Sequence, residues 1–577
     1  MPTGYLANRH QLMTMADLAF TPLVEEQIAR AMTSVRAWWG ASLPDLPIDT
    51  PQAQLEAVGL VHNLIAQEAR VPLFESVFAE CLGERFSLWL PTLPGLPHDF
   101  HKVAIMGALK ALSQTTLHAT EAVLTATVKH VHLLAGSYSA TGSDGAIPIL
   151  AAMHTLGVDA YPVHADMVQI GQGAKSRLIR ASATEADSAF GLLISENKLL
   201  TAQRLRRAGL PAPVTLSAQT PDDAKQAINV IGYPLVVKPE QGNRGECVHV
   251  GIFTEQGLQK AVTAAIAHSS NKTALIQPQL SGYCHRIQVL NGKVLWANTR
   301  HPKSVVGDGK HSVAELVAMA NRKLEHMAVR RRLKPFPLDD LAHSALESQG
   351  LTAQSTPAMG VRVNLRLATS VADGGSGISV TDTLHPANAA LALDAALACR
   401  LDSAGVDFFS EDPTVPWYEN GGVILEVNYK AQTFNRPSDR VTSPAQWQFI
   451  KTLKAGAARI PIHVFLGQDR AARSAHRKQS LLINEGVKAW TLTEVDLTSP
   501  EGYSQPLGAE SLAVYIHQLM QHPRLEALCV QVGLWAAQPA LPFTHVTSID
   551  TSDIGQYGPI ESKWARVVQR LAASMEA

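Results

Sequence analysis

From Met1 to about Leu134 apolar residues recur three and four positions apart, in TPLVEEQIARAMTSVRAWW, LEAVGLVHNLIAQEA and FHKVAIMGALKALSQ. That period predicts helices with one buried face, and proline clusters at 44–51 and 91–97 separate them. Between Gly136 and Val163 a Gly/Ser loop, a helix-like IPILAAMHTLG and a short extended YPV read as a half-turn of an α/β layer. From Ser195 the pattern sharpens. SENKLLTAQRLRRAGLPAP predicts an N-capped helix stopped by Gly209, Pro211 and Pro213, and PDDAKQAINVIG a second helix. YPLVVKP, the turn QGNRGE and CVHVGIF then form a strand, a glycine turn and a strand, the signature of a hairpin. ALIQPQL, HRIQVLNGKVLWANTR and VILEVN add strands, with Asn291-Gly292 marking a turn inside the second. From about Arg459 the strand-like runs IPIHVFL, SLLIN, AWTLTEV and ALCVQVGL alternate with helices, an α/β pattern.

Composition narrows the choice. A length of 577 residues predicts three or four domains. Lys+Arg number 49 against 50 Asp+Glu, so no basic field exists to coat nucleic acid. With 46% hydrophobic and 17% charged residues, wholesale disorder is excluded. The five cysteines (Cys81, Cys247, Cys284, Cys399, Cys529) are scattered, odd in number and without a CxxC pair. Neither a disulfide framework nor a thiolate zinc site is indicated, and a reducing compartment is expected. The N-terminus lacks the basic start and apolar core of a secretory signal. Apolar stretches such as 389–401 are broken by charges (Asp394, Arg400) and fall short of the roughly 20 residues a membrane span needs. The expectation is a soluble cytoplasmic protein without membrane contact.

Three chemical features follow one another: Lys198 at a helix start, Lys238 ending a buried strand before the glycine loop in VVKPEQGNRG, and an acidic cluster. The cluster is Asp407 in AGVDFF with Glu426 and Asn428 in ILEVN. Residues i and i+2 of a strand share a face, so Glu426 and Asn428 present two oxygen ligands together. Asp407 on a neighbouring strand would complete a hard-oxygen site suited to Mg²⁺ on nucleotide phosphates. Singly each feature is weak, since a strand-end lysine is more often a solvated edge residue; their order and spacing carry the weight.

The stretch from Gly136 to Pro437 resembles the ATP-grasp superfamily, and within it the cyanophycin synthetases. The text that carries the resemblance is NKLLTAQRLRRAGLPAP, YPLVVKPEQGNRG, the pair His285-Arg286, VVGDGKHSVAEL, GGSG followed by VTDTLHP, DSAGVDFF and ILEVN, preceded by VQIGQGAKSRLIRASAT. The resemblance implies an α/β and α+β multidomain chain: a helical N-terminal domain over 1–135, an ATP-grasp ligase domain over 136–456 and a small, degenerate Mur-ligase-like α/β remnant over 457–577. It implies ATP and Mg²⁺ as cofactors and amide-bond formation through an acyl phosphate. ATP would be held by Lys198, Lys238, Gly242, Asn243, Gly245 and Gln277, and the metal by Asp407, Glu426 and Asn428. Arg286 and Arg366 would stabilise oxyanions, and His285 would accept the amine proton, although a histidine beside an arginine on a strand is about as often a structural hydrogen-bonder. The implied partners are an amino-acid or dipeptide substrate, a peptide polymer primer and further copies of the chain, or a full-length cyanophycin synthetase.

The sequence also departs from that family. Glu246 and Cys247 stand where the phosphate loop ends in arginine and glycine, Gln277 replaces the purine-side glutamate and Cys284 the acid before the His-Arg pair. YKAQTFNR replaces an Ala-Pro-Gly turn. In the C-terminal part RIPIHVFLGQDRAARSA occupies the place of a P-loop, keeping Gly467 but carrying Arg470 and Ala471 where a glycine and a lysine belong. Without the lysine nothing reaches the β- and γ-phosphates, so no second ATPase is expected. Three readings stay open: a short cyanophycin synthetase polymerising β-aspartyl-arginine or extending a polyaspartate backbone, an impaired partner subunit of a full-length enzyme, and a ligase making a different small peptide.

Overall fold

A computed structural model of the chain describes residues 3–4, 12–18, 20–39, 43, 45–82, 85–93, 96–136, 146–164, 166–241, 247–325, 335–366, 376–429, 444–454, 458–533, 545–554, 568 and 572. The chain divides into two compact units, one formed by 1–181 together with 434–577, the other by 182–433. The mixed α/β and α+β class expected from the sequence holds.

In the first unit the helical periodicity yields Glu25–Trp39, Pro51–Glu68, His98–Leu112 and Leu117–Ala135. Thr50 caps the second of these by accepting from Ala53 N, and Pro51 takes the position where a missing N–H costs nothing. Their apolar faces close over Ile28, Val35, Leu55, Ile65, Leu88 and Phe100. The sequence reading saw only helices here. The structure adds an antiparallel sheet, with Leu12–Leu18 and Phe78–Leu82 pairing on either side of Arg85–Thr92. The short RFSLWLPT run is too brief for its alternation to stand out against longer helical text.

The rest of this unit is an α/β layer. Ile462–Leu466 pairs in parallel with Ala527–Val532 and with Ser548–Asp550, and Ala527–Val532 with Ala489–Leu492. The SLLIN run, expected as a strand, is instead the last turn of the helix Asp469–Asn484. Ala471, Ala475, Gln479 and Leu482 are its buried residues, a spacing of four, four and three that a helix face satisfies and a strand does not. The VQIGQG lead-in, which begins in the strand Met167–Ile170 of a separate antiparallel sheet, is bonded to this layer. Gln172 N donates to Ala458 O at 3.1 Å, its Nε2 to Asp159 Oδ2 at 3.1 Å, and its Oε1 accepts from Ile460 N at 3.3 Å. Arg459 Nε reaches the same Asp159 Oδ2 at 3.1 Å. Gly173 has φ +54°, and a Cβ there would overlap Leu525 O. The lead-in and the stretch that opens the C-terminal part are thus hydrogen-bond partners of each other.

Among the described residues the second unit carries two larger antiparallel sheets beside the short pair Ser304–Val306 with Arg362–Asn364. One has the order His249–Ile252, Leu235–Pro239, Ala274–Pro278, Leu216–Ala218, so YPLVVKP and CVHVGIF pair as the expected hairpin. Helix Glu255–His268 packs on it through Leu258, Val262 and Ala265 against Leu235, Val237 and Ile276. The other has the order Ser376–Ser379, Lys293–His301, Tyr283–Leu290, Ser403–Ser410, Val423–Asn428. Asn291 and Gly292 both take positive φ (50° and 66°), the requirement of the tight turn that the NG pair announced. Ile287, Ala297, Val406, Phe408, Ile424 and Val427 face helix Pro386–Ala398. The opposite face of this sheet is polar.

Candidate active site

Lys198 is the first residue of the helix Lys198–Arg207, which Asn197 caps by accepting from Leu200 N at 2.8 Å. Its Nζ lies 3.7 Å from Glu426 Oε1 and 3.5 Å from Glu240 O. Lys238 comes from the middle of the first sheet, where Val236 pairs with Gln277 and Lys238 with Leu275, so these four share one face while Leu235, Val237 and Ile276 enter the core. Burial pulls the Lys238 ammonium down to about 8; the positive charge of Lys198 adds to this, and Glu426 and Asp407 oppose it. Gln277 is buried, and its Nε2 donates to Thr215 Oγ1 at 2.7 Å. Gly242, Asn243, Gly245 and Glu246 lie outside the described residues, as does the 430–436 stretch.

On the second sheet Arg286, Asp407 and Glu426 form one row, Arg286 paired in register with Asp407 and Asp407 with Glu426. Arg286 grips Asp407 with Nε at 2.6 Å and Nη2 at 3.1 Å. Asn428 Nδ2 stands 3.3 Å from Asp407 Oδ2. Burial works against the Asp407 carboxylate, but Arg286, Arg300 and Asn428 outweigh it and hold its pKa below the ordinary carboxylate range. Asp407, Glu426 and Asn428 therefore do converge, as two carboxylates and an amide. Among the described residues no group of three or more His, Cys, Asp or Glu gathers that could hold a metal. The donor set is hard oxygen with little total charge, which fits a Mg²⁺ ion that arrives with phosphates and keeps other ligands of its own.

Arg300 joins this cluster although the sequence reading did not name it. It lies 3.7 Å from Asp407 Oδ1 and stands across the ladder from Cys284. Burial pushes the Cys284 thiol far up, with Asp407 adding to the effect, so the residue is a neutral thiol beside two guanidiniums. Among the described residues four cations (Lys198, Lys238, Arg286, Arg300) thus lie with two carboxylates (Asp407, Glu426) in a largely buried setting.

Two expected residues are elsewhere. His285 lies on the opposite face of its strand from Arg286, against Phe408, with Nδ1 bonded to Thr299 Oγ1 at 2.9 Å and Nε2 to Ser410 O at 3.1 Å. Both ring nitrogens are engaged, and burial lowers its pKa. It is a structural hydrogen-bonder, not a proton acceptor facing the cluster. Arg366 spends its guanidinium on Asp339, with bonds of 2.8 and 2.7 Å, and Asp339 in turn caps the helix Asp340–Glu347 through Ala342 N. No described contact links Arg366 to Asp407.

No family model matches the chain. Among curated proteins it is similar to cyanophycin synthetase from Crocosphaera subtropica, 33% identical over 267 residues that make up 45% of this chain and 30% of that one. It is also similar to the glutathione biosynthesis bifunctional protein GshAB of Mannheimia succiniciproducens, 34% identical over 259 residues, 43% of this chain and 33% of that one. The chain therefore spans about a third of the length of these relatives. Among solved structures, a bifunctional glutathione synthetase from Pasteurella multocida matches at TM-score 0.41 and 23% identity, covering 61% of this chain and 52% of that one. A D-alanine–D-alanine ligase from Bacillus anthracis matches at TM-score 0.28 and 15% identity, covering 47% and 70%. Among the described residues no helix is long and apolar enough to cross a membrane.

Proposed function

We propose that the chain is an ATP-dependent carboxylate-amine ligase working through an acyl phosphate, and that it acts as a short cyanophycin synthetase. The observation that carries this is the gathering of Lys198, Lys238, Arg286 and Arg300 around Asp407, Glu426 and Asn428 on the facing sides of two sheets. Lys198 and Lys238 would hold the phosphates of ATP as point charges. Asp407, Glu426 and Asn428 would hold Mg²⁺, which supplies charge neutralisation when bound. A substrate carboxylate oxygen attacks the γ-phosphorus, the bond to the β-phosphate oxygen breaks, and ADP leaves. Arg286 and Arg300 stabilise negative charge on the oxygens in flight. The incoming amine nitrogen then attacks the acyl carbon, inorganic phosphate departs, and the amine proton passes to solvent, since His285 is tied up on the far face.

The substrate class we propose is a β-aspartyl-arginine dipeptide added to a peptide polymer primer, with aspartate extension of a polyaspartate backbone as the other member of that class. The similarity to cyanophycin synthetases supports it. A second reading, a ligase for a different small peptide, is favoured by the similarity to GshAB over a stretch of nearly the same length. Purified protein with Mg-ATP is offered β-aspartyl-arginine with primer, aspartate and arginine separately, or γ-glutamylcysteine with glycine, while phosphate release and product mass are followed. Chain growth on the dipeptide is the expected result. Glutathione formation would replace it with the second reading, and no phosphate release with any acceptor would leave an impaired partner subunit.

A further inference from the structure

The turn after strand Ile462–Leu466, where a P-loop would stand, holds an anion that the chain supplies itself. Asp553 is 3% exposed, and its Oδ2 accepts from Gln468 N at 2.8 Å and from Ala471 N at 3.1 Å. These N–H groups open the helix Asp469–Asn484, whose cap residue Gln468 makes no side-chain bond to it. Gly467 has φ +134°, and a Cβ there would overlap Asp553 Oδ2, so the carboxylate fills the space beside the glycine. The turn is fastened from behind as well: Gln531 Nε2 donates to Gly467 O at 2.6 Å, and Glu494 N to Gln531 Oε1 at 3.0 Å. Asp553 reaches this place because Ser548–Asp550 pairs in parallel with Ile462–Leu466, so that the turns following both strands meet.

We infer that the Gly467–Ala471 turn is an anion cradle whose resident ligand is the Asp553 carboxylate, and that this turn therefore binds no nucleotide. First-turn N–H groups and the positive end of a helix suit phosphate and carboxylate alike. Two charge-assisted bonds from fixed backbone donors satisfy the carboxylate, and a phosphate would have to displace it from a closed space. Arg470 and Ala471 offer no lysine to make that exchange favourable. The cradle stands on its own geometry and is independent of the ligase reading of the other unit.

The test combines stoichiometry with chemical rescue on the full chain. Equilibrium dialysis with Mg²⁺ and a non-hydrolysable ATP analogue is expected to give at most one site per chain, abolished by Lys238→Met. Two sites, or one that survives Lys238→Met, overturns the inference; zero sites in the wild type removes the ligase reading but not this one. Asp553→Gly is expected to melt at a lower temperature and to regain most of the loss in sodium formate, but not in sodium chloride or formamide. Where Asp553→Gly does not fold, Asp553→Asn, which keeps the shape and removes the charge, is expected to melt below the wild type, with no rescue by formate because the amide fills the space. A wild-type melting temperature for the variant that folds, or equal effects of formate and chloride on Asp553→Gly, sinks the resident anion.

Discussion

Two buried carboxylates, one in each unit, solve the same problem in opposite ways. Asp553 is satisfied by backbone N–H groups that cannot move or leave. Asp407 is satisfied by side chains, and among the described residues it and Glu426 lie with four cations. The first arrangement is held by donors that belong to the backbone. The second gathers side chains of both signs, which can exchange partners with a polyanionic ligand. The difference teaches how to tell a functional polar cluster from a structural one within one molecule: by whether its donors are fixed backbone or side chains that a ligand can recruit. Other polar clusters of the first unit bond among their own members. Asp159 is shared by Arg459 and Gln172, and His62, His101, Asn63 and Thr92 form a closed chain of bonds of 3.0, 3.1 and 2.9 Å.

Lys238→Met breaks the comparison most severely. If the clustered cations hold phosphates, loss of the ammonium removes an interaction worth about 3–4 kcal/mol in the transition state, a fall of roughly 10² to 10³ in kcat. Because burial already opposes that ammonium, bringing it down to about 8, the substitution should leave the melting temperature unchanged or raise it. Steady-state phosphate release and calorimetry on the same preparation check both parts. A large loss of stability with activity retained would make Lys238 a structural cation and erase the contrast.

Acid sharpens the other side. Burial lowers the pKa of His62 to about 4, opposed by its bond to Asn63, and burial with the neighbouring His62 and His98 lowers His101 as well. In the unfolded chain both titrate near 6.5. The unfolded state therefore binds more protons below 6.5, and the stability of this helical core is full above pH 6.5 and is lost as pH falls towards 4. For His62 alone the loss is on the order of 3 kcal/mol. Urea denaturation followed between pH 7 and 4 should show the decline, and His62→Gln should flatten it. A flat wild-type curve would mean that the pair opens to water and is not a closed structural set.

How much of this was legible in the sequence depends on the range of the contact. The NG turn, the N-capped helix that Lys198 opens and the pairing of YPLVVKP with CVHVGIF are local, and the structure has them. Lys198, Lys238, Asp407, Glu426 and Asn428 were picked out by order and spacing; register sets Asp407 beside Glu426, and side-chain contacts bring Lys198 to Glu426 and Asn428 to Asp407. Arg300 was missed for a specific physical reason. Counting back from the two-residue turn 291–292, Leu290 opposes Lys293, and an unbroken ladder would set Arg300 on the face of His285. A bulge between Gln288 and Val289 shifts the register by one, placing Arg300 opposite Cys284 and on the face of Arg286. Nothing in VLNGKV announces that bulge. Asp553 was invisible for another reason: it lies 82 and 85 positions from the N–H groups it binds, and only the closing of the parallel sheet brings it there.

The same alternation decides His285, and here the expected effect is the smallest and the most discriminating. A histidine beside an arginine in a ligase-like text reads as a proton acceptor, but adjacent residues of a strand face opposite sides. Its two ring nitrogens are bonded to Thr299 Oγ1 and Ser410 O, which ties together the 283–290, 293–301 and 403–410 strands behind the cluster. His285→Gln retains one of these bonds, so a loss of about 1 kcal/mol in stability is expected. The value of kcat should stay within about threefold of the wild type, and the alkaline and acidic limbs of its pH profile should not move, since no proton of the reaction passes through this ring. A hundredfold fall in kcat, or a lost ionisation in the profile, would mean that the reacting amine approaches from the side of the sheet that Phe408 and Thr299 now fill.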